Sequence, residues 1–193
     1  FDKVARLLGL GYPGGPAIQK AAAGGDATKF EFPRAWLEDT WDFSFSGLKT
    51  AVLHKVRELT NGKDLEFGAA KLLSDTQVSQ LAASFQAAVV DVLAGKALRA
   101  AHEFGAQEIL VGGGVSANAA LREAFGVEAT GMLGEARWQA KHSASKSSGE
   151  FAEGKLQQSG KVTRIHFPSL PLCTDNAAMI AAAGYYRHEL TGA

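Results

Sequence analysis

The chain contains one cysteine, Cys173. That excludes an internal disulfide and any cysteine-rich zinc site, and it suits a reducing compartment. No uninterrupted apolar run reaches the roughly 18 residues of a membrane span. No secretory signal pattern opens the sequence. Basic and acidic residues balance, 20 against 20, which argues against broad nonspecific nucleic-acid binding but leaves room for a local basic patch. The five histidines (His54, His102, His142, His166 and His188) show no H-x-x-x-H pair or other ligand spacing, so they make no metal site among themselves. An H-E-x-x-H peptidase helix is also missing, as are the Walker A and Rossmann glycine spacings. There is no internal repeat. The chain opens at Phe1, not methionine, already inside a helical pattern. It is therefore expected to be a fragment of a longer protein, and the missing targeting signal carries little weight.

Hydrophobic residues make up 46% of the 193 positions, enough for one ordinary domain, or for one lobe with extra elements. Val4, Leu7 and Leu8 share one face of a helix over Phe1 to Leu10, closed by Gly9 or Gly11. Tyr12-Pro13-Gly14-Gly15-Pro16 is a turn, with Pro16 placed to start a helix that ends near Ala23 at Gly24-Gly25. Lys29 to Phe32 and Asp42 to Ser46 alternate apolar with polar residues, which predicts two short strands able to pair as a hairpin. Ser46-Gly47 starts a helix carrying Leu48, Val52, Leu53 and Val56. Ser74 with Gln77 reads as a capping box. It opens the longest helix, with a stripe of Val78, Leu81, Phe85, Val89 and Val92 that continues past Gly95 to Phe104. The stretch from Gly126 to Gly160 is rich in Gly, Ser, Lys and Glu and predicts a flexible insertion. Thr163 to Phe167 is a strand. A loop follows, and Thr174-Asp175-Asn176 caps a final helix through Tyr186. Helix, strand, helix, strand, helix in this order implies a parallel βαβ core.

The remaining chain is organised around Glu108 to Asn118. Ile109, Leu110 and Val111 suit a strand covered on both faces. Gly112, Gly113 and Gly114 permit positive φ and let a ligand approach bare backbone. Ser116 and Asn118 are good N-cap types for the next helix. A strand, a glycine turn and a helix start present free N–H groups and a positive dipole end to an anion. A tight turn that needs glycine only for sterics gives the same pattern. Ser44 to Thr50 offers hydroxyls and Lys49 at a second such junction, and a capped helix with a solvated lysine is the plainer reading. Asp175 is either an N-cap or one carboxylate of a metal site that it cannot complete alone. Cys173 reads as a small buried apolar group.

Several motifs occur together and in order: Phe-Asp-Lys at 1–3, Tyr-Pro-Gly-Gly-Pro at 12–16, Phe-Pro-Arg at 32–34, Asp-Phe-Ser-Phe-Ser-Gly-Leu-Lys-Thr at 42–50, Gly-Gly-Val-Ser-Ala-Asn at 113–118 and Cys-Thr-Asp-Asn at 173–176. This set resembles the C-terminal half of the TsaD-type, or glycoprotease, family in its bacterial or organellar form. The resemblance covers nearly the whole chain except about 126–160, which has no counterpart in the usual family pattern.

The resemblance implies an α/β chain: an actin/Hsp70/sugar-kinase-like (RNase H-like) lobe with a largely helical subdomain. Residues 1–70 would form the helical and hairpin part, and 71–193 the α/β lobe. It implies transfer of a threonylcarbamoyl group from threonylcarbamoyl-adenylate to the N6 amine of the adenosine beside the anticodon in ANN-decoding tRNAs. Asp2, Gly15 and Asn118 would contact the donor, with ATP or ADP as alternative bound nucleotides. Gly112, Gly113 and Ser46 would line the same cleft. Asp175 would ligate one divalent metal, iron or zinc, whose remaining ligands lie in the missing N-terminal lobe, so the isolated chain is expected to be inactive. The implied partners are tRNA, a separate synthase that makes the adenylate, a paralogous subunit and a small ATPase, with no membrane. The implied location is cytoplasmic, or mitochondrial or plastid in a eukaryote. Two other functions stay open: a metal-dependent glycoprotein endopeptidase, after the older family name, and a non-catalytic nucleotide-binding partner module.

Overall fold

The computed structural model describes residues 1–36, 40–62, 72–129 and 164–174, with positions 179, 182, 183, 185, 187, 189 and 190. Among the described residues, the bounded α-helices and strands are, in order, α1 (Asp2–Leu7), α2 (Gly14–Ala22), α3 (Ser46–Leu59), α4 (Asp75–Glu103), β1 (Glu108–Leu110), α5 (Ala119–Ala129) and β2 (Arg164–His166). The insertion expected at about 126–160 lies mostly outside the described residues. So do Asp175 and most of the expected final helix.

Helix α4 is the axis of the fold. The Ser74 hydroxyl accepts the Gln77 N–H at 3.2 Å, and the Gln77 side chain accepts the Ser74 N–H at 2.9 Å, which forms the expected capping box. Gly95 is buried inside the helix and does not break it. The helix is long and apolar enough to cross a membrane, but 67% of its most apolar window is buried against other elements, as befits a core helix. Its N-terminal half packs with α1, α2 and α3 through Val4, Leu8, Ile18, Val52, Leu81 and Phe85. Farther along, Val90 and Ala94 meet Leu121 and Phe125 of α5, with Ile109 and Ile165 of the strands against them. Helix α1 ends in a Schellman motif, with the Leu10 N–H on the Ala5 carbonyl and the Gly9 N–H on the Arg6 carbonyl.

β1 and β2 pair in parallel, with Ile109 opposite Ile165, and α5 follows β1 on the way to β2. This is the βαβ arrangement expected from the sequence. Among the described residues, coverage of β1 on both faces is not found. Ile109 points to α4 and α5, whereas Leu110 is 82% exposed. Successive strand side chains alternate between faces, and α4 and α5 cover only one.

The predicted hairpin is also absent. Neither 29–32 nor 42–46 is a strand. The chain after α2 instead runs along α4 as a strap whose backbone is held by side chains. The Phe30 N–H donates to the Ser84 hydroxyl at 3.2 Å. Arg34 donates through Nε and a terminal nitrogen to the Asp91 carboxylate, at 3.1 and 2.9 Å. Lys96 Nζ donates to the carbonyls of Thr40 and Asp42. Alternation revealed extended backbone with one apolar face, and Phe32 is buried accordingly. It could not reveal that helix side chains would replace a second strand as hydrogen-bond partners.

Candidate functional site

A cleft of about 1000 Å³ opens between α1, the start of α3, α4 and the turn after β1. Asp2, Ser46 and Gly112 all line it, although they come from three distant parts of the sequence. Phe1, Phe43, Phe45 and Phe85 supply apolar surface. Ser46, Lys49 and Thr50 present one polar face of the first turn of α3. No side chain caps that turn, so the capped-helix reading of Ser44 and Ser46 fails. Their hydroxyls lie 3.1 Å apart and bond to each other instead.

Asp2 has a structural task as well. Its Oδ1 accepts the Gly14 N–H at 2.8 Å. Helix α2 has Pro13 at its N-cap and no side-chain cap of its own, so a carboxylate from α1 serves its positive end. The approach is so close that a Cβ on Gly14 would sit 2.5 Å from Asp2 Cα and 2.7 Å from its Oδ1. The motif drew attention to Gly15, yet Gly14 is the glycine that packing requires.

Gly15, Gly113 and Asn118 lie outside the lining of the cleft. A Cβ on Gly15 would meet nothing within 4 Å. Gln19, four residues on and on the same helical face, accepts the Ala119 N–H through Oε1 at 2.7 Å. Asn118 caps α5, its Oδ1 accepting the Leu121 N–H at 3.0 Å. Its Nδ2 donates to Gln86 Oε1 on α4 at 2.9 Å. Gln19 and Gln86 thus tie α2 and α4 to the start of α5. Neither glutamine carried a signal in the sequence, because an isolated Gln on a helix fits no motif.

These bonds correct one expectation. The start of α5 was expected to offer free N–H groups to an anion, but those of Ala119 and Leu121 are already taken by side chains. The open backbone lies earlier, in the glycine turn. Gly113 has φ +86° and ψ 170°, a region that belongs to glycine. Side chains at Gly112 and Gly114 would meet nothing within 4 Å. Sterics within the described residues therefore require one glycine of the three, and the other two leave bare backbone facing open space.

Arg122 anchors this turn. It donates to the Ser116 carbonyl at 2.7 Å, to the Pro168 carbonyl at 2.7 Å and to Cys173 Sγ at 3.4 Å. Its guanidinium lies 4.8 Å from the centre of the Phe167 ring. The glycine turn and the loop leading to Asp175 are thereby held together. Cys173 is buried as expected. Among the described residues no three His, Cys, Asp or Glu side chains group to hold a metal ion.

A family model described as tRNA N6-adenosine threonylcarbamoyltransferase, TsaD, matches residues 1–182. The chain belongs to the TsaD family. Relatives named tRNA N6-adenosine threonylcarbamoyltransferase include the protein of Thermomicrobium roseum, 45% identical over 96% of this chain and 45% of its own length. That of Thiobacillus denitrificans is 44% identical, over 97% of this chain and 42% of its own length. That of Staphylococcus carnosus is 38% identical, over 98% and 44%. This TsaD chain therefore spans somewhat less than half the length of the curated relatives it matches. In TsaD terms the cleft joins Asp2 of the Phe-Asp-Lys motif, Ser46 of the Ser-Gly-Leu-Lys-Thr motif and Gly112 of the glycine turn.

Proposed function

We propose that this chain is the C-terminal part of a TsaD-type transferase and supplies one wall of the cleft that holds an adenylate donor. The carrying observation is that Asp2, Ser46 and Gly112 share one cleft in a chain matched by the family model over 1–182. On this reading the open backbone at Gly112 and Gly113 admits the phosphate-bearing part of threonylcarbamoyl-adenylate, and Asp2 accepts from sugar hydroxyls. Gly15 and Asn118 complete the contact on the α2 and α5 side. The N6 amine of the adenosine beside the anticodon attacks the carbamoyl carbonyl carbon. The bond to phosphate breaks, adenylate leaves, and the amine gives up a proton. That amine is a weak nucleophile, so orientation and stabilisation of the leaving phosphate must supply much of the rate.

The described residues offer no ligand set for a metal, and no step above uses one. Asp175 is the proposed ligand for iron or zinc, completed by residues of the other half. We extend the proposal to an actin/Hsp70-like, RNase H-like lobe with a helical part at 1–70, which the parallel β1–α5–β2 unit supports. The proposed partners are ANN-decoding tRNA, a separate adenylate synthase, a paralogous subunit and a small ATPase, in the cytoplasm or an organelle.

The test compares this chain with a version extended to the length of its relatives, both supplied with the partners, threonylcarbamoyl-adenylate and tRNA. Transfer is expected from the extended protein only, and to be lost in Asp175→Ala. Undiminished transfer in that variant sinks the metal role. No transfer, together with metal-dependent cleavage of a glycoprotein, would replace this reading with the endopeptidase one.

A further inference from the structure

Lys96 sits about three-quarters of the way along α4 and is 1% exposed, more buried than any other charged residue among those described. Its Nζ donates to the Thr40 carbonyl at 3.1 Å and to the Asp42 carbonyl. The Phe43 ring centre lies 5.7 Å away, within cation–π range. Burial and the neighbouring Arg99 push this lysine below its ordinary range, while Asp42 pulls the other way. An ammonium in such a place is costly unless every donor is used. A leucine would fill the same helical position without that cost.

The strap explains why a lysine is there. Among the described residues it pairs with no strand, and side chains of α4 donate to its carbonyls. Ser84 and Asp91 hold its earlier part at Phe30 and Arg34. Trp41 packs 5.1 Å from the Arg99 guanidinium and 5.5 Å from the Phe104 ring, but neither contact satisfies backbone. Lys96 bonds two strap carbonyls. It does so immediately before Phe43, Phe45 and Ser46, which form a wall of the cleft.

We propose that Lys96 is a positioning residue for the cleft: by gripping Thr40 and Asp42 it fixes the path of the strap and so the placement of Phe43, Phe45 and Ser46. The part that concerns ligand rests on the adenylate-donor reading, whereas the grip on the strap does not.

Lys96→Met and Lys96→Arg in the protein extended to its relatives' length separate the two. Loss of two charge-assisted hydrogen bonds should speed amide exchange across 40–46 by about tenfold or more in the Met variant, with α1 and α2 unchanged. KM for the adenylate donor should rise by about tenfold while kcat stays within about twofold, the pattern of lost ground-state and transition-state binding alike. Arg should restore part of both. Should the Met variant not fold, Lys96→Gln, with an uncharged donor, is read the same way. Unchanged exchange at 40–46 overturns the grip whatever the activity. Faster exchange with unchanged KM, or an equal fall in kcat, overturns the link to the cleft. A wild-type protein without transfer activity refutes the functional reading, and amide exchange then still decides the grip.

Discussion

Asp2 and Gly14, twelve residues apart, meet so closely that the Asp2 carboxylate takes the Gly14 N–H at 2.8 Å and no Cβ fits between them. Gly14→Ala would drive a methyl group into the Asp2 backbone, which cannot retreat as a flexible side chain could. A loss of about 1–3 kcal/mol in unfolding free energy is expected from such overpacking. Asp2→Asn keeps an oxygen for Gly14 but gives up the charge at the α2 start, and should cost no more than about 1 kcal/mol. Urea unfolding of both variants measures this. A Gly14→Ala protein as stable as wild type would show that α1 and α2 do not dock as described.

Arg122 reaches two backbone carbonyls, a thiol and a ring face from one side chain. Lysine has one point of charge and cannot span that set. Arg122→Lys is therefore expected to cost about 1.5–3 kcal/mol, the worth of a hydrogen bond from a charged group. It should also expose Cys173, which is buried beneath it. Thiol labelling with a disulfide reagent should be markedly faster in the variant, and an unchanged labelling rate would refute the anchoring role.

Much of this was legible in the residues, and what was not has a common cause. The Ser74–Gln77 capping box, the apolar stripes of α3 and α4 and the β1–α5–β2 order are local or periodic signals, and each was found as read. The strap failed because alternation at 29–32 and 42–46 reports extended backbone but not its partner. That partner is a set of helix side chains more than 50 residues away. The exposed face of Leu110 is not legible in the sequence, because an apolar triplet does not say whether both its faces are covered. In the cleft, the motifs led to Asp2, Ser46 and Gly112. Gln19 and Gln86 were invisible because their role comes entirely from tertiary placement.

Asn118 needs a variant that separates its cap from any ligand contact. Asn118→Ala removes the cap on Leu121 and should cost about 1 kcal/mol, so weaker nucleotide binding in it would be ambiguous. Asn118→Asp keeps the capping oxygen, loses the donor to Gln86 and adds a negative charge. Its stability should fall less than that of the Ala variant in thermal unfolding. If calorimetry with adenosine, which has no charge for the new carboxylate to repel, then shows weakened binding in Asn118→Asp, the amide itself contributes to recognition, and unchanged binding would refute that.

Lys96 gives stability a defined pH dependence. Its folded value is lowered from 10.5, chiefly by burial. Between the folded value and 10.5 the unfolded chain binds more protons than the folded one, so stability rises with pH across that window. The cost of the buried charge is fully present below the folded value and gone above 10.5. Stability of the wild type minus that of Lys96→Met should therefore increase as pH rises from the folded value towards 10.5. Urea midpoints read it, and a flat or falling difference would contradict the burial of this ammonium.

The glycine turn allows the sharpest comparison, because its neighbouring glycines are expected to do different things. Gly113 lies at φ +86°, so Gly113→Ala is strained in any surroundings and should cost about 1–3 kcal/mol. Gly112 has no such φ and open space where a Cβ would go, and Gly112→Ala should leave stability within about 0.5 kcal/mol of wild type. If bare backbone at 112 exists to let a phosphate approach, the same methyl group must lie in the ligand's path. In the protein extended to its relatives' length, Gly112→Ala should then weaken nucleotide binding by about tenfold or more, a penalty of about 1.4 kcal/mol that appears only when ligand is present. Thermal unfolding without nucleotide and calorimetry with it separate the two effects. A Gly112→Ala protein that folds and binds like wild type would reduce the triple glycine to a turn needing Gly113 alone.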